Sequence, residues 1–269
     1  MLSKTMMKIK YLLIDINGVL YTKKSAVEGA VESLNNLRDK KIDFRLISNA
    51  TRKPRSDICN ILKEMGFCIR EDEIFTPAIA AAQYIKKSCY NERKIFLLAM
   101  DELASDFNYA GIEVIKINEI KNKTVNFVVI GDAGEEFTFK KLNIAFKQVM
   151  GGAKLIALEK DRFWETEEGL TIDAGFFVAG LEYVTGKKAL VVGKPNCEFF
   201  SKAVQSMKAN PLETAVVGDD IFSDIGGAKS AGLKSILVRT GKYRKEFIEN
   251  SGIKPDYVIN SIADINEIL

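Results

Sequence analysis

Histidine is absent from all 269 residues of the chain. That absence excludes the Ser-His-Asp triad, the commonest general base and every histidine-ligated metal centre, so any chemistry must run on carboxylates, lysine, hydroxyls or a bound ion. Cysteine is scarce: Cys59, Cys68, Cys89 and Cys197 form no CxxC pair and have no histidine to complete a zinc site. Reduced thiols in a cytosol are the expectation. An excess of one charge is missing too, because 39 Lys+Arg against 36 Asp+Glu leave a net +3 mixed along the chain. Nucleic-acid binding needs a concentrated basic stripe that this pattern lacks. No Pro/Gly/Ser-rich linker, low-complexity tract or solenoid-length repeat interrupts the sequence. Met1 to Lys10 holds three methionines and three lysines but no apolar run long enough for a signal peptide or membrane span. A cytoplasmic protein without a membrane or nucleic-acid partner is expected, and Met6 or Met7 serves equally well as its start.

What is present is an ordinary folded composition, 47% hydrophobic and 28% charged. The length exceeds the roughly 100–200 residues usual for one domain, which predicts two. Short apolar runs alternate with longer amphipathic stretches, the pattern of a doubly wound parallel α/β sheet covered by helices on both faces. Strands are predicted at Tyr11–Ile16, Phe44–Ser48, Phe96–Ala99, Phe127–Ile130 and Leu155–Leu158, then in a resumed sheet at Leu190–Val192, Thr214–Val217, Ser235–Val238 and Tyr257–Ile259. Helices are predicted over Val27–Lys40, Arg55–Met65, Phe139–Met150 and around Phe176–Thr185. Candidate catalytic residues sit only near the two ends of the chain. The middle block therefore reads as an α/β domain, 79–183, inserted into a discontinuous core of 1–78 plus 184–269.

Four strand ends carry the chemistry. Asp15 closes the first strand, where ligands gather in open α/β sheets, and Gly18 lets the following backbone turn toward an anion; an aspartate that merely caps a loop would look the same. Ser48 and Asn49 close the second strand with a hydroxyl, an amide and backbone donors, although a strand-end serine more often makes local turn bonds. Thr51, Arg52, Lys53 and Arg55 surround Pro54 at the start of the next helix, an end that attracts phosphate. Lys194 follows the apolar run ALVV in Gly193-Lys194-Pro195 and can neutralise a phosphoryl oxygen. Asp219, Asp220 and Asp224 crowd GDDIFSD after a buried strand and repel one another unless a cation binds; helix capping by Asp220 or Ser223 is the competing explanation. Hard oxygen ligands with a bound phosphate suit Mg2+.

The ordered motifs DINGVLY (15–21), SNAT (48–51), GKP (193–195) and GDDIFSD (218–224) resemble the haloacid dehalogenase (HAD) superfamily. The inserted block is similar to the α/β cap of its p-nitrophenylphosphatase-type branch. EDEIFT (71–76), AGLEY (179–183) and TGKYR (240–244) resemble the phospholysine phosphohistidine inorganic pyrophosphate phosphatases and HAD-like hydrolase domain-containing proteins of that branch. The resemblance implies a Rossmann-like core, Asp15 as nucleophile and metal ligand, and the backbone carbonyl of Asn17 with Asp219 as further ligands. It also implies that Ser48, Asn49 and Lys194 hold the phosphoryl group, and that Asp224 orients Lys194 or binds a metal-coordinated water. The cap would close over a small phosphorylated substrate, with Phe163 and Trp164 as lid candidates or ordinary edge packing, and it is the expected surface for a homodimer.

Asn17 departs from the family pattern, which places an acid/base aspartate there. Asparagine neither donates nor takes a proton in that role, which removes a factor of roughly 10²–10⁴ for poor leaving groups. The expected activity is a Mg2+-dependent phosphatase favouring phosphoramidate, pyrophosphate or aryl phosphate substrates. The alternative is a catalytically weak or inactive HAD-like protein that binds a phosphorylated ligand.

Overall fold

The computed structural model describes residues 9–88, 92–166 and 169–269. The segment before Ile9 and Cys89 lie outside the described residues. In chain order the strands are β1 (Tyr11–Asp15), β2 (Tyr21–Thr22), β3 (Ser25–Ala26), β4 (Asp43–Ile47), β5 (Ile74–Phe75), β6 (Lys94–Leu98), β7 (Glu113–Val114), β8 (Phe127–Ile130), β9 (Lys154–Ala157), β10 (Phe163–Thr166), β11 (Gly169–Ile172), β12 (Leu190–Val191), β13 (Thr214–Gly218), β14 (Lys234–Val238) and β15 (Tyr257–Ile259). The helices are α1 (Ala30–Asp39), α2 (Arg55–Glu64), α3 (Pro77–Ser88), α4 (Ala104–Tyr109), α5 (Phe139–Met150), α6 (Ala174–Thr185), α7 (Cys197–Ser206), α8 (Gly227–Ser230) and α9 (Lys245–Ser251). Two compact units divide the chain: Met1–Ser48, Ile58–Phe75 and Lys194–Leu269 form the first, Asn49–Asp57 and Thr76–Gly193 the second.

The first unit is built on a six-stranded sheet in the order β15-β14-β13-β1-β4-β5, every pairing parallel. Its central strands bury both faces, so Leu12, Leu13, Ile14, Ala215, Val216 and Val217 are fully enclosed; parallel strands need such continuous apolar runs because helices cover each side. Helix α1 buries Ala30, Leu34 and Leu37, a spacing that lines one helical face. Helix α7 starts at Asn196, whose side chain accepts from Glu198 N, and buries Phe199, Phe200, Ala203 and Val204. The chain winds outward from β1 through β4 to β5, then returns to β13 on the other side of β1. Winding reverses between β1 and β13, and in such sheets the ligand crevice opens outside the carboxyl ends at that point.

The second unit holds a five-stranded parallel sheet, β12-β9-β8-β6-β7, and an antiparallel hairpin of β10 and β11. Phe96, Leu98, Val128, Ile130 and Leu155 pack there with Val149 of α5 and with Val178 and Leu181 of α6. The Leu190–Val192 run, expected in the resumed sheet of the core, belongs here instead: Leu190 pairs with Ile156 and Val191 with Ala157. A short apolar run records burial but not which sheet supplies the partner. The hairpin escaped sequence reading because β11 is exposed on both faces, leaving no apolar alternation to see. Among the described residues no helix is long and apolar enough to cross a membrane.

Candidate active site

Asp15 is the last residue of β1 and is 5% exposed. The sheet register sets it opposite Ile47 of β4, one step beyond the pairing of Ile14 with Val217 of β13. Asp219 follows the last residue of β13, so two carboxylates leave neighbouring strands at the reversal point. Lys194 is buried with them: its Nζ donates to Asp15 Oδ1 at 2.6 Å and to Asp224 Oδ1 at 2.7 Å. Asp224 lies in the helical turn Ile221–Gly226 and also accepts from Asp220 N at 3.2 Å. Asp220 caps that turn, its Oδ1 accepting from Phe222 N at 2.9 Å and Ser223 N at 3.1 Å. The capping role thus falls to Asp220, while Asp219 and Asp224 turn inward.

The backbone packs tightly around Asp219. Its Oδ2 accepts from Lys242 N at 2.7 Å. Gly18 (φ 87) and Gly241 (φ 61) both adopt left-handed backbone, and a Cβ on either would collide with the Asp219 carboxylate. Thr240 Oγ1 donates to Gly18 O and ties the two loops together. The Thr240–Lys242 loop has no role in the sequence reading, where TGKYR serves only as a point of resemblance. Its signal is a glycine three residues past the end of a buried strand.

Three buried carboxylates crowd the Lys194 ammonium here, and among the described residues negative charge is in excess without a further cation. Burial pushes Asp15 up to about 8, with Asp224 and Asp219 adding to the rise and Lys194 opposing it. Burial, then Asp224, pushes Asp219 up to about 6. Burial also works against the Lys194 ammonium, but Asp15 and Asp224 outweigh it and hold its pKa above the ordinary value. Asp15, Asp219 and Asp224 each offer an oxygen, all within 4.8 Å of one another. That hard, anionic donor set fits Mg2+.

The remaining sequence-predicted residues lie as follows. Ser48 is buried just past β4, its N–H donating to Phe75 O at 3.2 Å. Asn17 is exposed and bridges to Tyr21. Asn49 belongs to the second unit, beside Gly193, where a Cβ would stand 2.6 Å from Asn49 Oδ1. Of the polar residues around Pro54, Thr51 and Arg55 are engaged within that unit: Thr51 Oγ1 accepts from Asp132 N at 3.0 Å, and Arg55 Nε pairs with buried Asp106 at 3.0 Å. Phe163 and Trp164 lie on β10, and the Arg52 guanidinium stands 5.8 Å from the Trp164 ring.

A Rossmann-like sheet with an aspartate, a lysine and two more carboxylates at its reversal point defines the class of HAD-type hydrolases. The family model described as haloacid dehalogenase-like hydrolase matches residues 12–113, and a second, described as HAD-hydrolase-like, matches residues 191–265. Haloacid dehalogenase-like hydrolase domain-containing protein 2 of Bos taurus is 39% identical over 236 residues, 88% of this chain and 86% of that protein. Phospholysine phosphohistidine inorganic pyrophosphate phosphatase of Xenopus laevis is 36% identical over 97% of this chain and 94% of that protein. Among solved structures, p-nitrophenyl phosphatase from Archaeoglobus fulgidus superposes with a TM-score of 0.88 at 28% identity, covering 97% of this chain and 100% of that one. Glycerol phosphate phosphatase from Mycobacterium tuberculosis in complex with magnesium gives 0.82 at 26% identity over 95% of this chain and 75% of that one. The chain belongs to the haloacid dehalogenase-like hydrolases. Within them it is an enzyme of the phosphatase type.

Proposed function

We propose that the chain is a Mg2+-dependent phosphatase that hydrolyses small phosphorylated molecules through a phosphoryl group carried on Asp15. The observation that carries this reading is the Asp15 carboxylate, held at 2.6 Å by Lys194 and buried beside Asp219 and Asp224. An Asp15 oxygen attacks phosphorus, the bond to the leaving group breaks, and water later cleaves the aspartyl phosphate to free phosphate and restore the carboxylate. Lys194 and Ser48 bind phosphoryl oxygens, and Asp224 orients Lys194. Magnesium, with Asp15, Asp219, Asp224 and the Asn17 carbonyl as its ligands, would supply the positive charge that lets two anions meet. The solved neighbour in complex with magnesium supports that choice.

Asn17 gives the leaving group no proton, so substrates whose leaving groups need little help are favoured. The relative named for phospholysine, phosphohistidine and inorganic pyrophosphate supports the same substrate classes here. A cytosolic setting suits the free thiols of Cys59, Cys68 and Cys197. Asn17 also favours a second reading, a weakly catalytic protein that binds a phosphorylated ligand. One assay separates them: p-nitrophenyl phosphate and phosphoramidate hydrolysis that needs Mg2+, stops with chelator and is lost in Asp15→Asn supports the enzyme. Tight phosphate binding without turnover on any substrate contradicts it.

A further inference from the structure

The second unit contains another group of carboxylates that the proposed chemistry does not use. Glu159 follows β9, Asp161 stands two residues on, and Asp173 caps the start of α6. Each offers an oxygen, and the three lie within 4.8 Å of one another. Asp161 precedes the β10–β11 hairpin and Asp173 follows it, with Asp173 N donating to Arg162 O at 3.2 Å. Both ends of the hairpin therefore meet at the end of β9.

An acidic cluster alone is commonplace, but Glu159 is unusual within it. The residue is 3% exposed, and while its Oε2 accepts from Asp161 N at 2.6 Å, its Oε1 is buried with no hydrogen-bond partner. The ammonium of the adjacent Lys160 is directed elsewhere, to Glu182 Oε2 at 2.7 Å. A buried carboxylate oxygen among other acceptors is costly unless a proton or cation sits between them. Three side-chain oxygens, with water completing the shell, match the needs of a hard divalent ion.

We propose that Glu159, Asp161 and Asp173 bind a hard divalent cation that ties both ends of the β10–β11 hairpin to the end of β9. The hairpin carries Trp164, the single tryptophan of the chain, so its fluorescence reports on this site directly.

The test is a CaCl2 titration of the full chain, followed by Trp164 emission and by calorimetry, in the wild type, Glu159→Gln, Asp161→Asn and Asp15→Asn. Wild type and Asp15→Asn should show a saturable change in emission by about 1 mM Ca2+. Glu159→Gln and Asp161→Asn should lose it and bind one Ca2+ fewer. Asp161 is exposed, so its variant decides the matter even if Glu159→Gln misfolds. No saturable response in the wild type overturns the proposal. So does a response kept by Asp161→Asn but lost in Asp15→Asn. Unchanged Ca2+ stoichiometry in the variants would mean that Glu159 and Asp173 share a proton instead, and overturns it as well.

Discussion

Lys194 and Asp15, 179 positions apart in the chain, meet at 2.6 Å in the crevice of the first unit. Lys194 makes two charge-assisted bonds to that group of carboxylates. Its removal leaves buried anions without their partner. Lys194→Met should cost about 3–5 kcal/mol of unfolding free energy in chelator, the usual consequence of breaking a buried pair from one side. Urea denaturation measures it, and a loss below about 1 kcal/mol would contradict the charge balance argued here.

The raised carboxyl pKa values give a pH dependence of definite sign. Asp15 rises from 3.8 to about 8, chiefly through burial, so the folded chain holds a proton that the unfolded chain releases. Its contribution to stability is complete below about pH 3.8 and is lost as pH rises through about 8. Asp219 behaves likewise, losing its contribution through about 6. Cation-free protein should therefore weaken between pH 5 and pH 8. Under the proposed function magnesium takes the place of those protons, so the rise in Tm on adding Mg2+ should grow over the same interval. An increment that stays constant with pH would count against cation binding by these groups.

Gly18 sits where a side chain would strike Asp219. Gly18→Ala should weaken Mg2+ activation by at least about tenfold, because a 1.4 kcal/mol disturbance of the ligand already has that effect. The Mg2+ concentration needed for half-maximal p-nitrophenyl phosphate turnover reads it. Wild-type activation would show that the loop yields without moving the carboxylate.

Restoring an acid at position 17 tests the proposed substrate bias. Asn17→Asp should raise turnover on sugar or nucleotide phosphates by a factor within roughly 10²–10⁴, and change phosphoramidate hydrolysis much less. Equal or slower turnover on the esters would remove the proposed role of this residue.

The alternation of apolar runs with amphipathic stretches made the parallel α/β architecture legible from sequence, and Phe139–Met150 is the helix its periodicity describes. Asp15 and Asp219 could be singled out because each stands at the end of an apolar strand, where such sheets bind ligands, and Asp224 because it crowds Asp219 and Asp220 within GDDIFSD. The Leu190–Val192 run, expected in the first unit's sheet, pairs in the second because pairing is non-local, whereas an apolar pattern is local. The Thr240–Lys242 loop stayed silent because it acts through backbone: a Lys242 N–H and the missing Cβ of Gly241 leave no chemical signature in the side chains. Glu159 carries no signal in the sequence for the complementary reason. It is buried in the fold beside Asp173, fourteen positions on, which no local window contains.

The most direct measurement is mass spectrometry of the protein acid-quenched during turnover of p-nitrophenyl phosphate. The peptide containing Asp15 should carry a phosphoryl group in the presence of Mg2+, and lose it with chelator or in Asp15→Asn. Steady turnover with Asp15 never modified, or undiminished in Asp15→Asn, would contradict the account.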